Sequence, residues 1–255
     1  MPNEPGKRTG VKSDETLFAV LDALRGAGGA GVTELADELD VAKSTVHNHL
    51  SSMREHGFVA KSGDEYRLGL ELFSYGQEVR NDMDVYRAAR PVVDSLVEQT
   101  GEMVWLLVPQ QGRVLYLYGR AGETSVDVNT ILGSWDYMHC TSGGKAILAH
   151  YDADRVDSVV ERHGLSARTA NTISDREELA AELDAVREQG YALNLGEDLE
   201  GIHAIAVPLL YEDEIQGSIA VAGPAHRVSE ERCKTEILDA LIASTNDVEL
   251  NLAYA

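Results

Sequence analysis

Residues 137–149, YMHCTSGGKAILA, gather the side chains of this sequence best suited to chemistry. His139 stands beside Cys140, Thr141 and Ser142 follow, and Gly143-Gly144-Lys145 opens what the spacing predicts to be a helix. A phosphate loop needs Gly, four residues, Gly-Lys and then Ser or Thr, but Ala146 follows Lys145 and the upstream glycine is missing. A zinc corner needs further Cys or His at ligand spacing, and His150, His163, His203 and His226 are scattered one by one. A thiol nucleophile would gain from a helix N-terminus, which lowers its pKa. Adjacent side chains point apart, however, so His139 is poorly placed as a base for Cys140. The peptide N–H groups of Ser142, Gly143 and Gly144 open a helix without intrahelical acceptors, so they form a ready seat for a carboxylate, with the glycines allowing close approach. The expectation is therefore an anion seat with no catalytic residue, no cofactor and no metal; a cysteine-dependent enzyme is the weaker alternative.

A second group of residues suits nucleic acid. In VTELADELDVAKSTVHNHLSSMREHGFV, Thr33 is a good cap for a short helix carrying Leu35, Ala36 and Leu39. A turn at Asp40 and Val41 leads to a new helix start at Lys43-Ser44-Thr45, and this third helix buries Val46, Leu50 and Met53. Two short helices joined by a tight turn are the pattern of a helix-turn-helix. FVAKSGDEYRLG then reads as two strands, 58–61 and 65–68, around Ser62-Gly63-Asp64, which makes a wing. No acidic residue lies between Val41 and Arg54, although 43 of the 255 residues are acidic. Ser44, Thr45, His47, Asn48 and Ser51 are the candidates to face a DNA groove, and Lys43, Arg54, Lys61 and Arg67 to meet phosphates. Asn48 could pair with adenine through its amide, worth about 1–3 kcal/mol of discrimination. The alternative is a helical module that binds protein.

The elements that must position these residues are constrained by composition. The length suits one large domain or two ordinary ones, 44% hydrophobic content suffices for real cores, and two distant cysteines suggest a reducing cytoplasmic setting with no disulfide framework. No stretch approaches the roughly 20 apolar residues of a membrane span. The net charge is −21, with only six lysines, which is the composition expected of a halophile. A strongly acidic chain argues against nucleic acid, but residues 1–70 hold 8 basic and 11 acidic residues, while 71–255 hold 14 and 32. The acid is concentrated away from the candidate helix-turn-helix.

DETLFAVLDALRGAG predicts a first amphipathic helix, and residues 69–100 read as helical with a break near Asn81–Asp84 and a kink or join at Arg90-Pro91. From residue 101 the texture becomes mixed. MVWLLVP and RVLYLYG predict a hairpin, helices follow at 143–151, 153–163 and 174–189, GIHAIAVPLL and IQGSIAVAG predict a second strand pair, and SEERCKTEILDALIASTNDVELNLA closes as a helix. Strand pairs flanking a helical middle imply an antiparallel sheet with helices packed on it, an α+β fold. The expected organisation is a disordered tail over 1–12, a winged helix-turn-helix over 13–70, a linker helix over 71–83 and a mixed α and β domain over 84–255.

Taken together and in this order, VTELADELDVAKSTVHNHL, GFVAKSGDEYRLG, HCTSGGKAILA, REQGYALNLGEDLEGIHAIAVPL and GSIAVAGP resemble an IclR-type transcription factor nearly end to end. The resemblance implies a winged helix-turn-helix, a linker helix and a GAF-like effector domain with an antiparallel sheet. It also implies homodimers or homotetramers on palindromic double-stranded DNA, a small carboxylate or sugar-acid effector, and control of a catabolic operon. The effector site it implies is Val128, Met138, Ser142, Gly143, Gly144, Asn194, Ile202, Ala204, Ala220 and Ala222. This chain departs from the family at Asn48, where an Arg is usual; at Asn194, where an acid is frequent; at Ala204, where Cys is frequent; and at Ala220 and Ala222, where some members carry Ser. The pocket has lost hydroxyls, so an anionic end resting on backbone amides and Asn194 against an apolar wall is expected. A degenerate pocket in a ligand-independent regulator is the alternative.

Overall fold

In the computed structural model, which describes residues 10–122 and 128–253, the chain divides into two units, residues 1–80 and 81–255. Of the tail expected over 1–12, residues 1–9 lie outside the described residues, and Lys12 already opens a helix. This helix, α1 (Lys12–Ala27), stops at Gly28, whose left-handed backbone turns its N–H back onto Leu24. The next, α2 (Val32–Glu38), starts at Gly31 and not at Thr33, because the Glu34 carboxylate accepts the Gly31 N–H at 2.8 Å and satisfies the first free amide. Asp40, at φ 50°, turns the chain into α3 (Lys43–Glu55). The wing is β1 (Val59–Ser62) paired antiparallel with β2 (Glu65–Leu68), so the turn narrows to Gly63-Asp64 and Ser62 joins the strand. Val20, Leu24, Leu35, Val46, Leu50 and Tyr66 form the core beneath these elements. Burying each leucine contributes roughly 1.5–3 kcal/mol. The helix α4 (Glu71–Asp82) follows and buries no side chain of its own.

The second unit begins with α5 (Asp84–Thr100), which runs through Pro91 without ending there. Burial of Val85, Ala89, Val92, Val93, Leu96 and Val97 along one face offsets the hydrogen bond that Pro91 cannot make. A six-stranded antiparallel sheet has the order β5-β4-β3-β8-β7-β6. Its strands are β3 (Met103–Gln110), β4 (Arg113–Arg120), β5 (Trp135–Tyr137), β6 (Ala192–Leu195), β7 (Ile202–Tyr211) and β8 (Glu214–Pro224). Between β5 and β6 come α6 (Ser142–Leu148), α7 (Ala153–His163) and α8 (Arg176–Gln189). After β8, α9 (Glu230–Arg232) passes through a π-helical stretch, Cys233–Ile237, into α10 (Leu238–Leu252).

Strand alternation divides the sheet's side chains between two cores. Val104, Leu106, Ile205, Val207, Ile219 and Val221 face α5 and α10. Met103, Trp105, Leu107, Ala206 and Ala220 face Ile147 of α6 and Leu183 of α8. The second face holds the candidate site. β5 and β6, of three and four residues, are too short to show a period and went unread in the sequence. Among the described residues no helix is long and apolar enough to cross a membrane.

Candidate functional site

On α3, Ser44, His47, Asn48 and Ser51 fall at i, i+3, i+4 and i+7 and are all exposed, opposite buried Val46, Leu50 and Met53. Lys43 and Arg54 are exposed and border the same stripe. Thr45 stands apart from it, half-buried beside Val46, because its helical position turns it toward the core. The wing separates its two cations. Ala60 pairs with Arg67 and Lys61 with Tyr66, so Lys61 and Arg67 project from opposite faces of the hairpin. Lys61 Nζ lies 5.3 Å from the Tyr66 ring centre, and Arg67 is ion-paired with Glu65 at 3.2 Å. One phosphate-contacting surface can use either cation, not both in the same way.

In the second unit a cavity of about 60 Å³ lies where α6 meets β3, β7 and β8. Ser142, Gly143, Asn194, Ile202, Ala204, Ala220 and Ala222, all expected from the sequence, line it. Trp105, Leu107, Tyr116, Thr141 and Asp198 join them and were missed. Sheet pairing brings these together: Trp105 sits opposite Ala220, Ala204 opposite both Asn194 and Ala222.

Three expected residues are not on this wall. Met138 is buried in the apolar core of α6 and α8, Val128 packs half-buried against the same core, and Gly144 is enclosed by protein. The glycines serve the protein's own packing. A Cβ on Gly144 would come within 2.3 Å of the Met138 carbonyl oxygen, and one on Gly143 within 2.8 Å of both Leu107 and Ser218. The Gly144 amide is also taken, since it donates to Thr141 Oγ1 at 3.1 Å as that side chain caps α6. Ser142 and Gly143, unlike Gly144, line the cavity. Asn194 is held likewise: its oxygen accepts the Glu197 N–H at 2.7 Å, and its amide nitrogen donates to the Cys140 carbonyl at 3.0 Å. It fixes the wall more than it reaches into the space.

The conspicuous pair at 139 and 140 is buried. His139 is buried with Nε2 3.2 Å from the Ser166 carbonyl oxygen, and burial holds its pKa below the usual histidine value. Cys140 is buried near the Asp136 and Asp198 carboxylates, and burial first, then those charges, push its thiol far above the ordinary value, the reverse of the lowering expected at a helix start. Asp136, Cys140 and Asp198 offer atoms within 4.8 Å of one another, as a cation site would. The Arg168 guanidinium already meets both carboxylates, at 2.8 and 2.6 Å, and supplies the positive charge. Burial and the Asp198 charge still raise the Asp136 pKa.

Lys145, plain in the sequence, is 1% exposed and bonds Glu197 at 2.7 Å and Glu182 at 2.8 Å. It ties α6 to α8 and to the loop after β6. Burial raises the Glu197 pKa against the opposing pull of Lys145. No spacing rule joins residues 145, 182 and 197, so only the fold reveals the triad.

Comparison with known proteins agrees with both units. The model of the IclR helix-turn-helix domain matches residues 16–63, and that of the bacterial transcriptional regulator IclR C-terminal domain matches 77–250. A "Probable HTH-type transcriptional regulator ArcR" of Halobacterium salinarum is 30% identical, with 99% of this chain and 97% of that one covered. The HTH-type transcriptional regulator KdgR of Escherichia coli is 30% identical over 96% of this chain and 94% of its own length. Among solved structures, Thermotoga maritima IclR superposes with a TM-score of 0.75 at 25% identity, covering 95% of this chain and 98% of that one. An IclR homologue from Microbacterium hydrocarbonoxydans, complexed with 4-hydroxybenzoate, gives 0.83 at 19% identity, covering 96% and 100%.

Proposed function

Because this chain belongs to the IclR family of transcriptional regulators, we propose that its DNA-binding unit answers to a small hydroxylated carboxylate, of the sugar-acid class, held in the cavity at α6. The observation that carries this reading is the mixed wall. The Ser142 and Gly143 amides can donate to a carboxylate, whereas Asp198, one oxygen of which is already paired with Arg168, places on the same wall a carboxylate that can accept from a ligand hydroxyl. A ligand with an acid at one end and hydroxyl groups at the other meets both demands. A keto acid without hydroxyls brings Asp198 no donor beyond Arg168. The Microbacterium homologue's ligand, 4-hydroxybenzoate, also carries a carboxylate and a hydroxyl. One water needs roughly 10–15 Å³ of such space, so a cavity of about 60 Å³ has room for only a few and must widen to admit such a ligand.

That widening supplies the switch. A ligand that binds the open form of the cavity shifts the population toward it, and DNA affinity changes by no more than the differential binding energy, typically about 1–3 kcal/mol. The exposed stripe of α3 enters the major groove, with Asn48 reading a base and Lys43 and Arg54 on phosphates. Homodimers on a palindromic operator are supported by the first unit's surface: Phe18, Leu70, Phe73 and Val79 are large, apolar and exposed, and need a covering surface.

A thermal-shift series tests the effector. Gluconate, pyruvate and 4-hydroxybenzoate are compared in the wild type and in Asp198→Asn. The expected result is a saturable rise in melting temperature with a hydroxylated acid, larger than with pyruvate and reduced in the variant. A wild type that responds to none of the three, or a response indifferent to Asp198→Asn, overturns the reading and favours the ligand-independent regulator.

A further inference from the structure

A second cleft of the effector-binding unit, about 270 Å³ in volume, lies between α7 and the β3–β4 turn. Gln110 and Gln111 of the turn line it, with Tyr151, Arg155, Ser158 and Arg162, and no carboxylate is on its wall. Arg155, Ser158 and Arg162 stand at i, i+3 and i+7 of α7 and share one face. Of the nine other arginines of this unit, Arg87, Arg120, Arg168, Arg176, Arg187, Arg227 and Arg232 each have a carboxylate within 4.0 Å, while Arg90 and Arg113 bond instead to Tyr118 and to the Trp135 carbonyl. Among the described residues, no carboxylate lies within that distance of the Arg155 or Arg162 guanidinium, although the Asp152 carboxylate accepts the Arg155 backbone N–H at 2.8 Å as the cap of α7. In a chain with 43 acidic and 22 basic residues, two arginines without acidic partners in one concavity stand out.

The cleft is also set in place before any ligand arrives. The Arg155 guanidinium lies 3.5 Å from the Tyr151 ring centre, which restricts its plane. The turn is pinned to the end of α7 by His163 Nε2, 2.7 Å from the Gln111 carbonyl oxygen. Gln111 and Gly112 both adopt left-handed backbone, at φ 53° and 76°, so the turn is tight.

We propose that this cleft binds a small dianion with two acidic heads, carboxylate or phosphoryl, one head on each arginine. Seven residues of helix separate the two arginines by about 10 Å along the axis, and two cations on one cleft wall at that separation suit a two-headed anion, a dicarboxylate or a diphosphate, better than a single-headed one. Ser158 and the two glutamine amides add neutral donors. The site is distinct from the effector cavity yet shares a strand with it: Leu107, on the cavity wall, precedes Gln110 by three residues, roughly 10 Å of β3. An occupant of the cleft would thus act on the end of a strand that also walls the cavity.

Isothermal titration of the full chain with succinate and with inorganic pyrophosphate, at one fixed potassium chloride concentration, tests the proposal, with acetate and inorganic phosphate as single-headed probes. The expected result is saturable binding of succinate, pyrophosphate or both, and at least roughly tenfold weaker binding of the single-headed probes. Binding to one two-headed probe alone names the head group. Arg155→Gln and Arg162→Gln are surface changes that leave the fold intact, and each weakens binding roughly tenfold, with the double variant abolishing it. Ala222→Val, which narrows the effector cavity, leaves the titration unchanged. Absence of saturable binding in the wild type, or its survival in the double variant, overturns the proposal. Loss in Ala222→Val does so too, since the anion would then be entering the effector cavity.

Discussion

The helices α3 and α6 start alike, each with a serine and a lysine within its first four residues, and then use them in opposite ways. On α3, Lys43, Ser44, His47, Asn48, Ser51 and Arg54 all stay exposed, so their hydrogen-bonding capacity is available to a partner. On α6 every residue is buried, Lys145 is committed to Glu182 and Glu197, and the Gly144 amide to Thr141. The contrast teaches that a polar helix start is a binding surface only where the fold leaves its groups unpaired. Of the whole SGGK step, only Ser142 and Gly143 line the cavity.

The comparison can be broken most forcefully at Lys145. Lys145→Met leaves Glu197 and Glu182 facing each other without a cation, and removal of one partner of a buried pair costs about 3–5 kcal/mol. Chemical denaturation followed by tryptophan fluorescence should show this loss, because Trp105 and Trp135 both lie in the second unit. A change within experimental error would mean that α6 is as free as α3. Next comes Gly144→Ala, whose new methyl group would meet the Met138 carbonyl; a destabilisation of roughly 1–3 kcal/mol is expected from overpacking.

On α3 the same measurements should show almost nothing. Asn48→Ala is expected to change stability by no more than about 0.5 kcal/mol, while discrimination at one operator base falls by about 1–3 kcal/mol. Competition binding against single-base operator variants reads that difference. Lys43→Ala combined with Arg54→Ala should weaken binding to all sequences alike and lower the slope of log K against log salt by roughly two. An unchanged slope would remove both residues from the phosphate contacts.

The smallest effect concerns acid. Burial lowers the folded-state pKa of His139 below its ordinary 6.5, so the folded chain favours the neutral ring. Its contribution to stability is present above pH 6.5 and is lost as the pH falls through that value toward the folded pKa. Asp136 and Glu197, with raised pKa values, act in the opposite sense: folding gains as acid protonates them. The difference in melting temperature between the wild type and His139→Gln, followed across that range, isolates the histidine. A difference that does not vary with pH would place His139 in an environment like that of an exposed histidine.

The DNA-binding unit was legible because its signals are local. The spacing of Val46, Leu50 and Met53 fixes which face of α3 is buried, and the acid-free run beside it fixes the sign of the surface. What sequence reading did not show there is that pairing alternation places Lys61 and Arg67 on opposite faces of the wing. The second unit was legible in outline, since two long strand pairs and three helical stretches announce themselves. Its cavity was read in part, with seven of the twelve residues on the wall named in advance. Asp198, Tyr116 and Trp105 escaped notice because no periodicity relates a loop after β6 to the middle of β3 and β4.

The sequence by itself determined the family, the two-unit order, the buried stripe of α3 and the short amide-rich start of α6, because each depends on neighbours within a few residues. The tertiary structure alone decided which polar groups are free. Lys145 is neutralised by residues 37 and 52 positions away, Asn194 is held by Cys140 and Glu197, and the Arg155 and Arg162 guanidinium groups have no ion-paired carboxylate among the described residues. Pairing is a matter of distance in space, and burial sets what an unpaired charge costs. Neither quantity is written in the order of residues along the chain.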